Sequence, residues 1–273
     1  MAQLALPLAA AVMYGLRART LARRGTPVPG WRIAAFAGSV VLFAVALAPQ
    51  LEDRAEELFV FHMTQHVLLG DLAPLLFVLG LTGPLLRPLL ALRPVAALRA
   101  LAHPLVALPL WTLNLYLWHL PFLYEGALRN DAVHALEHLS FFTAGALMWA
   151  AVIEVVPGPA WFGTAAKLGY VVAVRLLETV LGNVFIWAGE PVYGIYDDGS
   201  ELYGLGPLRD QGLAGTVMMI EGSLVTIGAI AWLFLRWGAE SELRQQLIER
   251  GVDARTATRA VRYGRGQELL NRR

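Results

Sequence analysis

The sequence predicts an all-α integral membrane protein, a bundle of about seven transmembrane helices with its N-terminus outside and its C-terminus in the cytoplasm. Three observations predict it. Hydrophobic residues make up 57% of the 273 positions and charged residues 16%, against about 45–50% and about 25% in soluble domains. Mean hydropathy is +0.54. The apolar runs are too long and too continuous for the alternating strands of a barrel, which leaves helices as the spanning structure. Such a composition argues against disorder, a nucleic-acid-binding domain or an ordinary cytosolic enzyme. Zero cysteines remove disulfides, Cys-ligated zinc, iron–sulfur clusters and thiolate nucleophiles. Basic charge rests on Arg, with Lys167 the sole lysine, and Arg- and Ala-rich usage suggests a bacterial source with a GC-rich genome.

A spanning helix needs about 20 mostly apolar residues. Seven stretches qualify, at roughly 1–16, 33–51, 58–82, 101–123, 132–155, 168–188 and 211–235. The first is short, but it lacks the positive start and cleavage site of a signal peptide. Loop one carries Arg17, Arg19, Arg23, Arg24 and Arg32 and no acid. Loop two carries Glu52, Asp53, Glu56 and Glu57 against Arg54. Loop three, in the Pro-punctuated stretch GPLLRPLLALRP and beyond, holds Arg87, Arg93 and Arg99, and loop four holds Glu125, Arg129 and Asp131. Loop five is Pro/Gly-rich with Lys167. Loop six carries Glu190, Asp197, Asp198, Glu201 and Asp210 against Arg209. The positive-inside rule then puts loops one, three and five and the C-terminus in the cytoplasm. Residues 1–238 form the transmembrane domain. Residues 239–273 form a charged cytoplasmic tail that solubilises and sets topology.

All six histidines lie between positions 62 and 138. Span three opens F-H-M-T-Q-H, with His62 and His66 four apart; span five opens H-A-L-E-H, with His134 and His138 four apart. Residues i and i+4 share one helix face, about 6 Å apart along the axis. Both spans enter from outside, and span four leaves outward through His119. Five histidines therefore share one depth near the outer surface, and only His103 stands at the other end. Met218 and Met219, two turns into span seven, reach the same level. Ionisable groups at membrane depth are costly and face a cavity or a partner. Imidazole suits copper, zinc and iron, and thioether suits cuprous copper. Without cysteine, this cluster favours copper, held in an open, partly hydrated site. Glu137 is expected to support a ligand or meet a partner. Arg175 and Glu178, three apart in span six, read as a structural intramembrane pair. Asp71, nine residues past His62, points away from it at 100° per residue. Trp118, Tyr124, Trp187 and Tyr193 read first as interfacial belt residues.

F-H-M-T-Q-H-V-L-L-G-D-L-A-P-L-L-F-V-L-G at 61–80 resembles the signature of the CtaG-type cytochrome c oxidase assembly factors, which are multispan bacterial membrane proteins. H-P-L (103–105), W-H-L-P-F-L-Y-E-G-A-L (118–128), H-A-L-E-H-L-S-F-F (134–142) and D-Q-G-L-A-G-T-V-M-M (210–219) follow in the family's order. The resemblance covers roughly residues 35–237. Two departures stand out: A-P-L at 73–75 in place of A-P-P, and M-M-I at 218–220 in place of M-W. The resemblance implies a non-enzymatic factor in the plasma membrane that helps mature haem–copper oxidases by delivering copper. It carries over to His62, His66, His119, His134 and His138 as metal ligands, with Met218 or Met219 as auxiliary ligands. The implied partners are oxidase subunits, a copper donor protein and the lipid bilayer, with no nucleic acid; homo-oligomerisation stays open. Two other readings compete. H-A-L-E-H matches the inverted zinc motif H-x-x-E-H, in which Glu137 would be the general base of a membrane hydrolase. The His pairs also match axial ligands of a haem- or quinone-linked electron carrier.

Overall fold

Proline and apolar length decide where the helices start and stop. The computed structural model describes residues 2–92, 99–155 and 157–271. Arg93 of the third loop and Arg272 and Arg273 of the tail lie outside the described residues. Among the described residues every regular element is helical. The chain divides into two compact units, residues 1–159 with 174–223, and residues 160–173 with 224–273.

The first unit begins with α1 (Ala2–Arg23), α2 (Gly30–Ala46) and α3 (Pro49–Glu57). α2 and α3 meet at a 52° bend. Pro49 opens α3, where its missing N–H leaves no bond unmade, so the acidic residues of loop two sit on a short helix. α4 (Phe59–Gly80) and α5 (Gly83–Leu90) follow. α6 (Pro104–Trp118) and α7 (Pro121–Leu128) form a second bent pair, at 74°, with Pro121 as the hinge-side start of α7. α8 (Asp131–Ile153) is capped by Asn130, whose side chain accepts from the Ala132 and Val133 amides. α9 (Thr164–Trp187) and α11 (Pro207–Glu249) contribute to both units, and α10 (Asp197–Leu202) lies in the connection between them.

By length and composition α4, α8, α9 and α11 can cross a membrane, and the two bent pairs raise the number to six. α1, expected from sequence as the first of seven spans, is not among them; its last two turns carry Arg17, Arg19 and Arg23. Leu105, Phe122, Leu176, Leu224 and Ile227 are exposed, whereas His62, Gln65, Glu137 and Asp210 are buried. Apolar residues outside and polar residues inside suit a lipid surround.

α4 organises the first unit. Its first N–H groups have no local side-chain cap. Asp210, at the start of α11, supplies one from a distance: its carboxylate accepts the Phe59 N–H at 2.7 Å and the Val60 N–H at 3.0 Å. At the other end Tyr14 donates to Gly80 O at 3.0 Å, and Arg32 donates to Leu79 O at 3.0 Å and Leu81 O at 2.5 Å. These bonds satisfy carbonyls that the helix end leaves open. Between the ends, Leu68–Leu72 form a π turn in which Ala73 N–H reaches back to Leu68 O. Pro74 explains it: having no N–H, it cannot donate to the Gly70 carbonyl as an α-helix requires. α8 packs against this turn through Gly145, where a Cβ would run into Gly70 O.

The second unit has its own small core of Leu247, Ala257, Val261 and Leu270. α11 continues through residue 238 to Glu249. α12 (Ala254–Arg262) is capped by Asp253, which accepts the Thr256 N–H at 3.0 Å, and α13 (Gly266–Asn271) ends the described tail.

Candidate metal centre

The i, i+4 spacing on α4 brings the Nε2 atoms of His62 and His66 to 2.8 Å from one another. α8 then adds a carboxylate, with Glu137 Oε1 3.5 Å from His66 Nε2. One donor atom from each of His62, His66 and Glu137 lies within 4.8 Å of the other two, and all three residues are buried. The remaining histidines surround this group. The His134 ring stacks on His62 with centroids 5.4 Å apart and lies 4.2 Å from His138. His138 and His119 stand 5.9 Å and 6.0 Å from the His66 ring, both edge-on. His119 occupies the break between α6 and α7, where its Nδ1–H donates to Leu115 O at 2.6 Å. His103 is elsewhere, and its Nδ1 accepts the Leu105 N–H at 3.3 Å to cap α6.

Several buried polar atoms here have no hydrogen-bond partner among the described residues. They are Nδ1 of His62 and of His66, Nε2 of His119 and of His134, and both carboxylate oxygens of Glu137. Leaving such an atom unpaired costs about 1–3 kcal/mol. Imidazole lone pairs beside a carboxylate are donors to a cation, and the unpaired Glu137 oxygens, beside the His62 and His66 Nε2 atoms that bond one another, fit a metal ion. For both Nε2 atoms to donate, His62 and His66 must carry their protons on Nδ1. Glu137 thus stands with the donor atoms themselves, closer in than the supporting position expected from sequence. Its neighbours three residues before and one after are His134 and His138, so the motif did signal its proximity.

The site is closed, contrary to the open and hydrated one expected. Tyr124 stacks on Tyr193 at 3.9 Å, Tyr124 and Tyr196 share a hydroxyl–hydroxyl bond of 2.7 Å, and Tyr193 donates to His119 O at 2.8 Å. Phe59 packs against Tyr193 and Tyr196. Of the four expected belt residues, only Trp187 is exposed; Tyr124, Tyr193 and Trp118 are buried. The connection after α9 folds back and spends its aromatic side chains on the histidine nest, while Trp118 donates to Ser140 Oγ at 2.7 Å. Burial pushes the Tyr193 and Tyr196 phenols well above their ordinary range, which keeps both neutral at physiological pH. Tyr196 carries no periodic signal that sequence reading could use.

Met218 and Met219 part company. Met218 lines a cavity with His66 and His119. Met219 Sδ instead lies 3.6 Å from Arg175 Nη2. Arg175 also binds Glu178 Oε2 at 3.2 Å, Met219 O at 3.0 Å and Ser223 Oγ at 2.9 Å. Asp71 lines the same cavity as His66, although sequence geometry points it away. Residues five apart stand about 140° round an α-helix, and the wider π turn between them reduces that angle.

A family model described as cytochrome c oxidase caa3 assembly factor matches residues 12–240. Two uncharacterized proteins, from Mycobacterium bovis and Mycobacterium tuberculosis, are each 23% identical over 263 residues, covering 89% of this chain and 40% of theirs. A third, from Mycobacterium leprae, is 22% identical over 240 residues, covering 80% of this chain and 36% of its own. The chain thus spans at most 40% of the length of these relatives. No solved structure matches.

Proposed function

The chain belongs to the cytochrome c oxidase caa3 assembly factor family, and from that premise we propose that it binds copper and helps deliver it to a haem–copper oxidase in the bacterial plasma membrane, without catalysing a reaction of its own. The observation that carries this reading is the buried group of His62, His66 and Glu137, whose donor atoms converge within 4.8 Å of one another. In this reading the group is the primary holding site, His134 and His138 add donors around it, and His119 stands at its edge. Imidazole nitrogen binds copper and zinc alike, so copper rests on the family premise together with the absence of cysteine. The partners are oxidase subunits and a copper donor protein. Because Tyr124, Tyr193 and Tyr196 cover the group, loading and release require the connection after α9 to move.

The test replaces His66 and His138 together by Ala. The full-length variant should insert in the membrane and lose copper. Cells carrying it should make oxidase with haem but with a deficit of copper and activity, and His103→Ala should behave like the parent. Elemental analysis of the purified variants and of the oxidase reads both effects. A double variant that retains copper and supports normal oxidase overturns the proposal. An absorption spectrum of the purified parent decides the haem alternative, which requires a Soret band.

A further inference from the structure

Next to the histidine nest, deeper along α4, lies a cavity of about 50 Å³. A water needs roughly 10–15 Å³ of such volume, so this one takes several waters or an ion with part of its hydration shell. His66, His119 and Met218 line it together with Asp71, Glu178 and Glu221, and apolar side chains such as Trp111 and Phe141 complete a largely apolar wall. Asp71 follows His62 by nine residues, roughly 13 Å further into the span at 1.5 Å per residue.

The charges in this chamber do not balance. Three carboxylates face one guanidinium, and Arg175 is committed to Glu178, Ser223 and the Met219 carbonyl. Asp71 is held by a neutral donor, the Trp149 indole N–H, at 2.5 Å. Glu221 stands within hydrogen-bonding reach of the Asp71 carboxyl, and among the described residues no N–H or hydroxyl donor meets its oxygens. Two acids thus face one another at mid-span with no basic side chain bound to them, which is costly unless a shared proton or a metal cation joins them. An independent observation points to that same ligand. His119 is only 7% exposed, its Nδ1–H is used by Leu115 O, and its buried Nε2 lone pair has no partner.

We propose that this chamber is a second metal-cation site, with His119 Nε2 and Met218 Sδ as its donors and Asp71 and Glu221 as its countercharge. Carboxylates alone would suit magnesium, calcium or manganese; imidazole and thioether shift the choice to copper. Met219 is excluded as a donor because its sulfur lies against Arg175. His66 belongs to both sites: its Nε2 faces His62 and Glu137, and its side chain lines the chamber. The inference rests on the reading of His62, His66 and Glu137 as a metal site.

The experiment counts cuprous copper bound per chain by the full-length protein in detergent, under anaerobic reducing conditions. The parent should bind two equivalents. Met218→Leu with Glu221→Gln should bind one, and His62→Ala should lose the other. Both chamber changes conserve volume, and Glu221→Gln removes a charge rather than stranding one; matching elution and melting profiles check that the variant folds. X-ray absorption of copper-loaded parent should show sulfur at copper, and Met218→Leu alone should remove it. A parent that binds one equivalent, lost in His62→Ala and kept in the chamber variant, overturns the second site and leaves the first standing. A parent that binds none overturns both.

Discussion

Asp210→Ala should disable the metal centre although Asp210 holds no ligand position. The residue is fully buried and accepts the Phe59 and Val60 amides at 2.7 and 3.0 Å. Among the described residues no local side chain caps that end of α4. Alanine leaves a buried and a half-buried N–H donor unsatisfied, at about 1–3 kcal/mol each. It also removes a negative charge from a helix N-terminus, about 0.3–1 kcal/mol more. The sum is about 2–7 kcal/mol, reduced by whatever the buried carboxylate itself costs in desolvation. The first turn of α4 can relieve the penalty by fraying toward water, but fraying withdraws Phe59 from its contacts with Tyr124, Phe185, Tyr193 and Tyr196. His62 is three residues further on, and its N–H is bonded to Leu58 O at 3.2 Å, so it moves with that turn. At 1.4 kcal/mol per decade, a loss of 2 kcal/mol in site pre-organisation weakens copper binding about 30-fold. Asp210→Asn keeps one acceptor and should cost about 1 kcal/mol, near fivefold. Copper affinity by chelator competition reads the first effect, and hydrogen exchange of the Phe59 and Val60 amides reads its cause. Unchanged exchange at both amides, with affinity within threefold of the parent, would refute the reasoning.

Glu137→Gln keeps the shape of the side chain but removes the charge nearest His66 Nε2; copper affinity should fall at least about tenfold while the protein still accumulates, and parent-like affinity would return Glu137 to a supporting role. If Gln substitution instead abolished a demonstrable proteolytic turnover while metal stayed bound, the hydrolase reading would replace this one. Gly145→Ala places a methyl against Gly70 O and should separate α4 from α8 at a cost of about 1–3 kcal/mol, seen as a lower melting temperature and weaker copper binding together. Arg175→Met strands Glu178 and should reduce membrane accumulation by roughly the 3–5 kcal/mol of a broken buried pair, whereas full accumulation with selective loss of copper would move Arg175 into the site. Reporter fusions at Glu57 and Asp198 should score outside and at Arg250 cytoplasmic; a cytoplasmic Asp198 would sink the orientation drawn from loop charge.

Helical spacing made the histidines legible. His62 with His66, and His134 with His138, needed only the 3.6-residue period and the assumption that α4 and α8 start from the same side. His119 followed from the direction of the intervening span. The bends at Pro49 and Pro121 were present as prolines, yet the apolar runs continue across both, and hydropathy alone joins what backbone geometry divides. Tyr193 and Tyr196 were beyond reach because long-range folding of a connection leaves no periodicity. An aromatic residue near a span end has two physical uses, at the lipid interface or over a buried site, and local composition does not separate them.

Asp71 shows most directly how one backbone group redirects a side chain. At a constant 100° per residue, nine residues place it half a turn from His62, which removes it from any site that His62 shares. The constant fails because Pro74 cannot donate to the Gly70 carbonyl. The ladder slips to the Ala73 to Leu68 bond, and the residues between take a wider turn. The freed Gly70 carbonyl is not left facing lipid, since Gly145 brings α8 close against it. Nearby, Ser39 Oγ donates to Ala73 O at 2.7 Å, tying α2 to the same stretch of α4. Proline, the two glycines and the serine therefore form one arrangement. Its consequence is that Asp71 shares a cavity with His66 and His119 and meets the Trp149 indole there. Read as a helix breaker, Pro74 would have ended the span; read as a missing donor inside a continuing helix, it predicts a π turn and a carboxylate redirected toward the histidines.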